Sequence, residues 1–414
     1  MFSRYISDFW RLHLVSDNFR PYNFAMEFQD FCDGCLLTDP EADLNAITLN
    51  LPTTAGVCLF STEDNQLLLC LPGANLRNLV RRRMAEVQVG EKTRRIELQA
   101  IVRRIWFRCC YSPFEMHLSY FHIAQAAFPD SYLDLFPSLD VWFVYIDPNT
   151  KFPYFASTRY RNSKSGQYWG PFVSRRLAVN CVEVLQNVFD LCRCPEILEK
   201  APAAAACAYA QMNRCAAVCD GSTPAEDYRL VVEQAKDFLN NGPQAGLELW
   251  KQQMQKYSNE LQFEKAQQIK DKIREIKKLL TTAYRWMRPL DEFLVLAFQP
   301  GPKVKQTGRR AHQVSITTFL IGAGWVDQME SFPLDECAEG CKSLLDHINL
   351  ALLQDRKSNS AKATQHLFAW AAHLLDQKKS KDPGLYVPFA ESLSAEDLSK
   401  LVIEHFCKPI KNKD

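Results

Sequence analysis

Four cysteines at fixed, unequal intervals are the residues of this chain best suited to chemistry. Cys194, Cys207, Cys215 and Cys219 are separated in turn by twelve, seven and three residues. Thiolates are soft ligands, so four of them can close around one zinc ion or one iron–sulfur cluster. Buried structural thiols are the alternative, and Cys192 could take the place of Cys194. The spacing therefore predicts a four-cysteine metal site.

The remaining cysteines and histidines are weaker candidates for a site. Cys32 and Cys35 have the separation of a zinc knuckle or a redox pair, but no second pair stands at a matching distance. His117 and His122 lie five residues apart, which does not place them on one face of a helix. The chain has 15 cysteines but no signal peptide and no apolar run of about 20 residues, so we expect a cytoplasmic protein with reduced thiols and no membrane contact.

Positive charge is clustered, although the net charge of the whole chain is only +1. Residues 77–108 contain ten Lys or Arg and three Asp or Glu, and residues 148–182 contain six basic residues and no acidic one. Such clusters are typical of contacts with a phosphate backbone, and a solvated face balanced by distant acids is the alternative. The candidate DNA contacts are Arg77, Arg81, Arg82, Arg83, Arg94, Arg95, Arg175 and Arg176.

Apolar alternation and turn residues predict a multidomain α+β fold. The strand-like stretches are Val57–Phe60, Gln66–Leu71, Val141–Ile146, Tyr154–Thr158, Phe293–Phe298 and Val314–Ile321. The helix-like stretches are Leu76–Met84, Phe114–Phe128 and Val173–Leu191, with a helical tail from about residue 342. Another helix begins at Pro224 and is expected to end at Asn240–Pro243.

A helical hairpin is predicted after that break. Its second helix carries apolar residues three and four positions apart, the seam spacing of paired helices. These residues are Ala266, Ile269, Ile273, Ile276 and Leu280. The hairpin can pack on its own chain or dock on a partner.

Several of these segments, taken in order, resemble UvrC, the incision subunit of bacterial nucleotide excision repair. Leu51–Val57 resembles the opening of the GIY-YIG nuclease domain of that family, and Tyr168–Phe172 resembles the segment that leads out of it. Asn259–Ala266 is similar to the UVR motif, through which UvrC pairs with UvrB. The resemblance extends from Leu51 to about Leu334.

The resemblance implies a cofactor and two partners. The four cysteines would bind a 4Fe–4S cluster, with a structural zinc ion as the alternative. The partners would be DNA and UvrB, or another protein with a UVR motif. The residues that would face this protein partner are Leu261, Phe263, Glu264, Ala266, Ile269 and Ile273.

The chain departs from the family at all four catalytic positions of the nuclease domain. The two tyrosine positions fall on Cys58 and Leu69, the arginine position on Leu79 and the metal-binding glutamate position on Tyr120. A phenol with a pKa of about 10 cannot replace a carboxylate as a Mg²⁺ ligand at neutral pH. We therefore expect a degenerate, non-cleaving domain, with a displaced ligand at Glu115 or Asp134 as the alternative.

The resemblance also sets the expected domain boundaries. Residues 1–48 would be an extension, 49–135 the degenerate GIY-YIG-like α/β domain and 136–243 a linker with the cluster-binding segment. Residues 244–282 would form the UVR hairpin, and 283–414 a strand-rich then helical region without a complete RNase H-like nuclease domain. A module that binds proteins and not DNA is a further functional alternative.

Overall fold

Three antiparallel sheets, each of four strands, organise the part of the chain that the structure describes. The computed structural model describes residues 28–41, 43–85, 98–161, 163, 165–212, 214–305, 312–352, 360–376 and 382–407. No helix within these ranges is both long and apolar enough to cross a membrane. The architecture is consistent with the predicted mixture of helices and strands, and the strands pair in antiparallel fashion.

The first sheet is covered by helices on both faces. Its strands are β1 (Gly34–Leu37), β2 (Ala55–Ser61), β3 (Leu67–Gly73) and β4 (Arg104–Cys110), in the order β1-β4-β2-β3. The helices are α1 (Leu44–Leu49), α2 (Leu76–Met84), α3 (Leu98–Ile101) and α4 (Pro113–Ala127). Residues 57–60 of β2 are all fully buried because alternate side chains pack under α2 and under α4. β1 lies within the predicted extension, yet it pairs with β4 along its whole length.

The second sheet receives its last strand from beyond the hairpin. Its strands are β5 (Trp142–Ile146), β6 (Ala156–Thr158), β7 (Gln167–Phe172) and β8 (Arg288–Pro289), in the order β6-β5-β7-β8. The helices between β7 and β8 are α5 (Arg175–Val188), α6 (Pro195–Leu198), α7 (Ala208–Gln211), α8 (Ala225–Asn259) and α9 (Phe263–Ile276). Because β8 pairs with β7, the cysteine segment and the hairpin lie between two neighbouring strands of one sheet.

The break predicted at Asn240–Pro243 is a kink within α8. Gly242 has φ 81° and ψ 157°, which is not helical, and Pro243 follows it. Glycine tolerates a positive φ, and proline cannot continue the preceding hydrogen-bond ladder. Gly242 and Pro243 therefore bend the helix instead of ending it. The half of α8 that follows the bend forms the first arm of the hairpin.

The third sheet carries helices on both of its faces. Its strands are β9 (Val295–Lys305), β10 (His312–Gly322), β11 (Trp325–Pro333) and β12 (Leu385–Pro388), in the order β11-β10-β9-β12. The helices are α10 (Cys337–Leu352), α11 (Ala361–Leu375) and α12 (Ala395–Phe406). Within the described residues after about 342, the expected helical tail contains helices and also β12, a four-residue strand that pairs with β9. A stretch this short has too few residues for alternation to reveal a strand.

Helices α4 and α11 join the first and third sheets through one aromatic core. The ring of Phe114 in α4 lies 4.8 Å from that of Phe319 in β10 and 5.0 Å from that of Trp370 in α11. Phe114 and Phe319 are 1% and 0% exposed. Aromatic pairs at such distances add to the stabilisation from burial. The first sheet is therefore packed against the third sheet.

Two neutral histidines lie within this contact between α4 and α11. The imidazole of His117 stacks on Trp370 with ring centroids 4.4 Å apart, and that of His366 stacks on Phe121 at 5.6 Å. Burial, with a smaller contribution from His366, lowers the pKa of His117 to about 3. Burial likewise lowers the pKa of His366 to about 4. The folded protein therefore resists protonation at both rings.

We predict that acidification weakens the folded state through these histidines. Unfolded histidine has a pKa of about 6.5, so below that pH the unfolded chain binds protons that the folded chain does not. Stability should fall as the pH drops from about 6.5, by about 1 kcal/mol per histidine at about pH 5.5. Thermal melts at pH 7.5 and 5.5 should show a smaller drop in the double variant His117→Phe, His366→Phe. An equal drop in the variant would contradict the prediction.

Candidate metal-binding loop and partner-binding hairpin

The four predicted cysteine ligands lie on the segment between α5 and α8. Cys194 and Cys207 immediately precede the short helices α6 and α7, and Cys219 lies in a 3-10 turn. Ala217 before this turn and Gly221 after it have φ values of 52° and 81°. These tight turns hold the cysteines on one irregular segment.

The thiols of Cys194, Cys207, Cys215 and Cys219 are close enough to affect one another's ionisation. Burial raises the pKa of Cys194, and the charge of Cys207 raises it further. Burial raises the pKa of Cys215, and the negative charges of Cys207 and Cys219 raise it further. Within the described ranges, no three His, Cys, Asp or Glu side chains are gathered tightly enough to hold a metal ion. The structure thus places the four cysteines on one segment, close enough to influence one another's pKa but, in the part of the chain described, not gathered around a common centre.

The surroundings distinguish the thiols by their acidity. Burial raises the pKa of Cys192 to about 12, and burial together with the charge of Cys207 raises that of Cys194. Burial also opposes ionisation of Cys207, but hydrogen bonds from the backbone N–H groups of Ala210 and Tyr209 outweigh it and lower its pKa. A metal ligand must be the thiolate. Cys207 is therefore a readier ligand than Cys194.

Asp190 joins the cysteine segment to the hairpin. Its backbone carbonyl accepts a hydrogen bond of 2.9 Å from the N–H of Ala216, between Cys215 and Cys219. Its carboxylate pairs with Lys272 of α9 at 3.0 Å. Asp190 has φ 52°, a conformation that aspartate tolerates better than most residues. No spacing or charge pattern in the sequence marks this residue.

A second polar connection runs beside the first. Arg193 donates a hydrogen bond of 2.7 Å to Asn187 of α5, which donates one of 2.8 Å to Glu275 of α9. The guanidinium of Arg193 also lies 5.1 Å from the ring centroid of Tyr209. The cysteine segment is therefore tied to α9 at two points, and the two candidate sites are parts of one assembly.

The base of the hairpin is buried in its own chain, and the tip is exposed. Ile273 and Ile276 are 7% and 0% exposed and pack in the core with α5 and the second sheet. Leu261 and Phe263, at the bend, are 73% and 64% exposed. The prediction that Ile273 faces a partner is therefore wrong, because its side chain fills the core of its own chain.

The other predicted partner residues lie toward the tip. Glu264 is exposed, and Ala266 and Ile269 are half-buried. Leu261 adopts φ 59°, which turns the chain between the two helices and aims its side chain outward. Leu261, Phe263 and Glu264 therefore form the accessible part of the predicted surface, which is called the hairpin tip below.

The four degenerate catalytic positions do not meet in the structure. Cys58, Leu69 and Leu79 belong to the apolar core beneath α2. Tyr120 belongs to the core beneath α4, on the opposite face of the sheet, and is 2% exposed. Burial raises the pKa of Tyr120 well above its usual range. These positions contribute to packing on two separate faces.

Glu115 has a structural role at the start of α4. One of its carboxylate oxygens accepts a hydrogen bond of 2.8 Å from the N–H of Tyr111. Its own N–H donates one of 3.1 Å to Oγ of Ser112. This pattern is close to a capping box, in which the first helical turn satisfies its free donors. Glu115 thus stabilises a helix end, and the carboxylate is engaged there.

The predicted DNA contacts differ in how accessible they are. Arg77 donates hydrogen bonds to the carbonyls of Leu49 and Leu51, at 2.8 and 2.9 Å, so its guanidinium has a structural role, and its assignment as a DNA contact stays a prediction. Arg81, Arg82, Arg175 and Arg176 are exposed, and Arg83 is half-buried. Arg94 and Arg95 lie outside the described residues.

Comparisons with known proteins match two of these segments. Residues 141–238 match the model of the UvrC/Cho excinuclease middle domain, and residues 249–279 match that of the UvrB/UvrC motif. These ranges include strands β5 to β7 of the second sheet, the cysteine segment and most of the hairpin. Both lie after residue 140, so the GIY-YIG resemblance of the first domain stays a prediction.

Curated relatives carry the same family name. UvrABC system protein C of Caldicellulosiruptor saccharolyticus is 28% identical over 236 residues, which are 56% of this chain and 39% of the relative. The protein of that name from Nautilia profundicola is 30% identical over 158 residues, 38% of this chain and 25% of the relative. The protein of that name from Hyphomonas neptunium is 35% identical over 129 residues, which are 30% of this chain and 20% of the relative. The matched regions thus span less than half of each relative. No solved structure matches the chain.

The chain is, by fold, a mixed α and β protein in which a cysteine-bearing segment is followed by a helical hairpin. Over residues 141–238 and 249–279 it is similar to the middle domain and the UVR motif of the UvrC family.

Proposed function

We propose that this protein is a UvrC-like component of bacterial nucleotide excision repair that docks on UvrB through its hairpin tip. One observation carries the proposal. Leu261 and Phe263 are large apolar side chains, they are 73% and 64% exposed, and both lie within the segment that matches the UvrB/UvrC motif. Exposed aromatic residues of this kind act as anchors in protein interfaces.

The surroundings of the tip favour a specific interface. Glu264 and Lys265 are exposed beside the two apolar side chains, and can form a polar rim around them. The buried base, with Ile273 and Ile276 in the core, holds the tip in a fixed position before binding. A preformed surface loses less conformational entropy when a partner binds.

We predict that the double variant Leu261→Ala, Phe263→Ala binds UvrB at least about 10-fold more weakly, since losing two anchors costs about 1.4 kcal/mol or more. Binding of the purified full chain to purified UvrB would be measured by calorimetry. Leu230→Ala is the matched control, because Leu230 is 63% exposed on α8 but lies outside the motif. Wild-type affinity in the double variant, or equal losses in both, would refute docking at the tip.

The proposed cofactor is a 4Fe–4S cluster on Cys194, Cys207, Cys215 and Cys219, with a structural zinc ion as the alternative. The donor chemistry fits either group, since the four thiols share one segment and influence one another's pKa. The bound group would cross-link the segment. An ordered segment would also restrain α9. Asp190 pairs with Lys272 of α9, and Arg193 bonds to Asn187 of α5, which bonds to Glu275 of α9. The proposed role of the group is structural.

We predict that protein purified without oxygen is brown and contains about four iron atoms and four sulfides per chain. Cys215→Ser should lose most of the colour and iron, because it removes one thiolate ligand. Cys407→Ser is the control, since Cys407 is an exposed cysteine far along the chain from the segment. Metal analysis decides the outcome: colourless protein with one zinc ion supports the alternative, and protein without metal excludes both.

We further propose that the first domain does not cleave DNA. The positions that the family resemblance assigns to catalysis are Cys58, Leu69, Leu79 and Tyr120, and these side chains are packed on two faces of a sheet. The carboxylate of Glu115, the first candidate for a displaced ligand, is engaged by the N–H of Tyr111. The exposed arginines at 81, 82, 175 and 176 remain available for DNA. The alternatives are an active nuclease with relocated groups and a module that binds only proteins.

We predict no nicking of supercoiled plasmid above the level without protein, in Mg²⁺ or Mn²⁺ and with or without UvrB. The physical reason is the absence of a carboxylate and an arginine at the assigned positions. Gel electrophoresis of the plasmid over several hours gives the measurement. Metal-dependent nicking that disappears in Glu115→Gln would establish the active alternative instead.

A further inference from the structure

One surface beside the second sheet brings cations and aromatic rings together. Contacts gather Trp142, Arg159, Tyr160 and Arg175 there, and Arg161 and Arg176 are their neighbours in the sequence. These six residues are called the arginine–aromatic surface below. The guanidinium carbons of Arg159 and Arg175 lie 6.0 and 5.8 Å from the ring centroid of Trp142. Arg159 also lies 5.8 Å from the ring centroid of Tyr160. Residues from β5, from the segment after β6 and from the start of α5 therefore meet at one place.

The surface keeps a positive charge after its internal contacts are counted. Arg159 pairs with Asp140, and Arg161 donates a hydrogen bond of 3.3 Å to the carbonyl of Ala323. Among the residues that the structure describes, Arg175 and Arg176 have no acidic partner, and both side chains are exposed. Residues 148–182 contain no Asp or Glu at all. The surface is therefore prepared for an anionic ligand.

The aromatic rings narrow the choice of ligand. Tyr160 is 51% exposed, and Trp142 is half-buried beside two guanidinium groups. An exposed ring can stack on the face of a nucleobase, while neighbouring arginines bind the phosphates. In a duplex the faces of the bases are covered by stacking, so they are available to Tyr160 only in an unpaired strand. An acidic protein would use the arginines but would gain less from the exposed rings.

We propose that the arginine–aromatic surface binds single-stranded DNA, with a base stacked on Tyr160 and the backbone held by Arg175 and Arg176. This deepens the proposed repair function, on which the choice of DNA as the nucleic acid rests. It assigns Arg175 and Arg176, two of the six basic residues of 148–182, a role that charge alone left open. The exposed arginines of α2 are separate from this surface in sequence and serve as a comparison.

The test measures fluorescence anisotropy of labelled oligo(dT), and of a duplex of equal length, with the full chain. Wild type should bind the single strand more tightly than the duplex. Tyr160→Ala should weaken single-strand binding about 5-fold or more and leave duplex binding nearly unchanged. Tyr160→Phe should restore binding because it keeps the ring. Tyr111→Ala, which removes a ring that is 40% exposed in the first domain, is the matched control.

The arginines are tested by salt dependence. The double variant Arg175→Ala, Arg176→Ala should lower the slope of log affinity against log salt by about 1.4, since each phosphate contact on a single strand contributes about 0.7. Equal binding of duplex and single strand, or wild-type binding by Tyr160→Ala, would overturn the proposal. Equally tight binding of polyglutamate would indicate an acidic protein as the occupant. Loss of UvrB docking is measured separately, so the two proposals can fail independently.

Discussion

The burial of the hairpin base against α5 and the second sheet is the contact on which the arrangement of the candidate sites depends. Ile276 is fully buried in the core that also contains Phe172 of β7 and Val188 of α5. The same core includes Cys192, at the start of the cysteine segment. One apolar cluster thus positions α9, orders the end of α5 and supports the first part of the cysteine segment. The exposed tip is a consequence, because the base is held while the bend projects beyond it.

Polar contacts fix the relative positions of the segments that this apolar core joins. Asp190 is the clearest case, with its carbonyl bound to Ala216 and its carboxylate to Lys272. Half-exposed ion pairs contribute little free energy individually. These contacts matter here because hydrogen bonds fix the distance and direction between the cysteine segment and α9, which apolar contact alone does not. Order in the cysteine segment and orientation of α9 are consequently linked.

In the first domain, apolar packing occupies the positions that the family resemblance assigns to catalysis. Cys58, Leu69 and Leu79 fill the core under α2, and α4 packs on the third sheet through Phe114 and Trp370. Burying these groups favours folding, whereas charged catalytic residues in the same places would have to stay hydrated or paired. Packing of the first sheet against the third also explains why two half-buried histidines stay neutral. The contact gives the first and third sheets a shared core.

The sequence by itself determined the elements whose period is long and regular. The helix Leu76–Met84 has the predicted bounds, and the strands near residues 57 and 141 and the hairpin are where alternation and seam spacing place them. It also singled out the four cysteines, since residue type and interval are local properties. Tertiary structure alone decided which side of each element is covered. It placed Ile273 in the core, engaged Arg77 with the carbonyls of Leu49 and Leu51, and gathered Trp142, Tyr160 and Arg175 from three separate segments. The physical reason is that periodicity reports the apolar face of an element, whereas its neighbour is chosen by contacts between residues far apart in the chain.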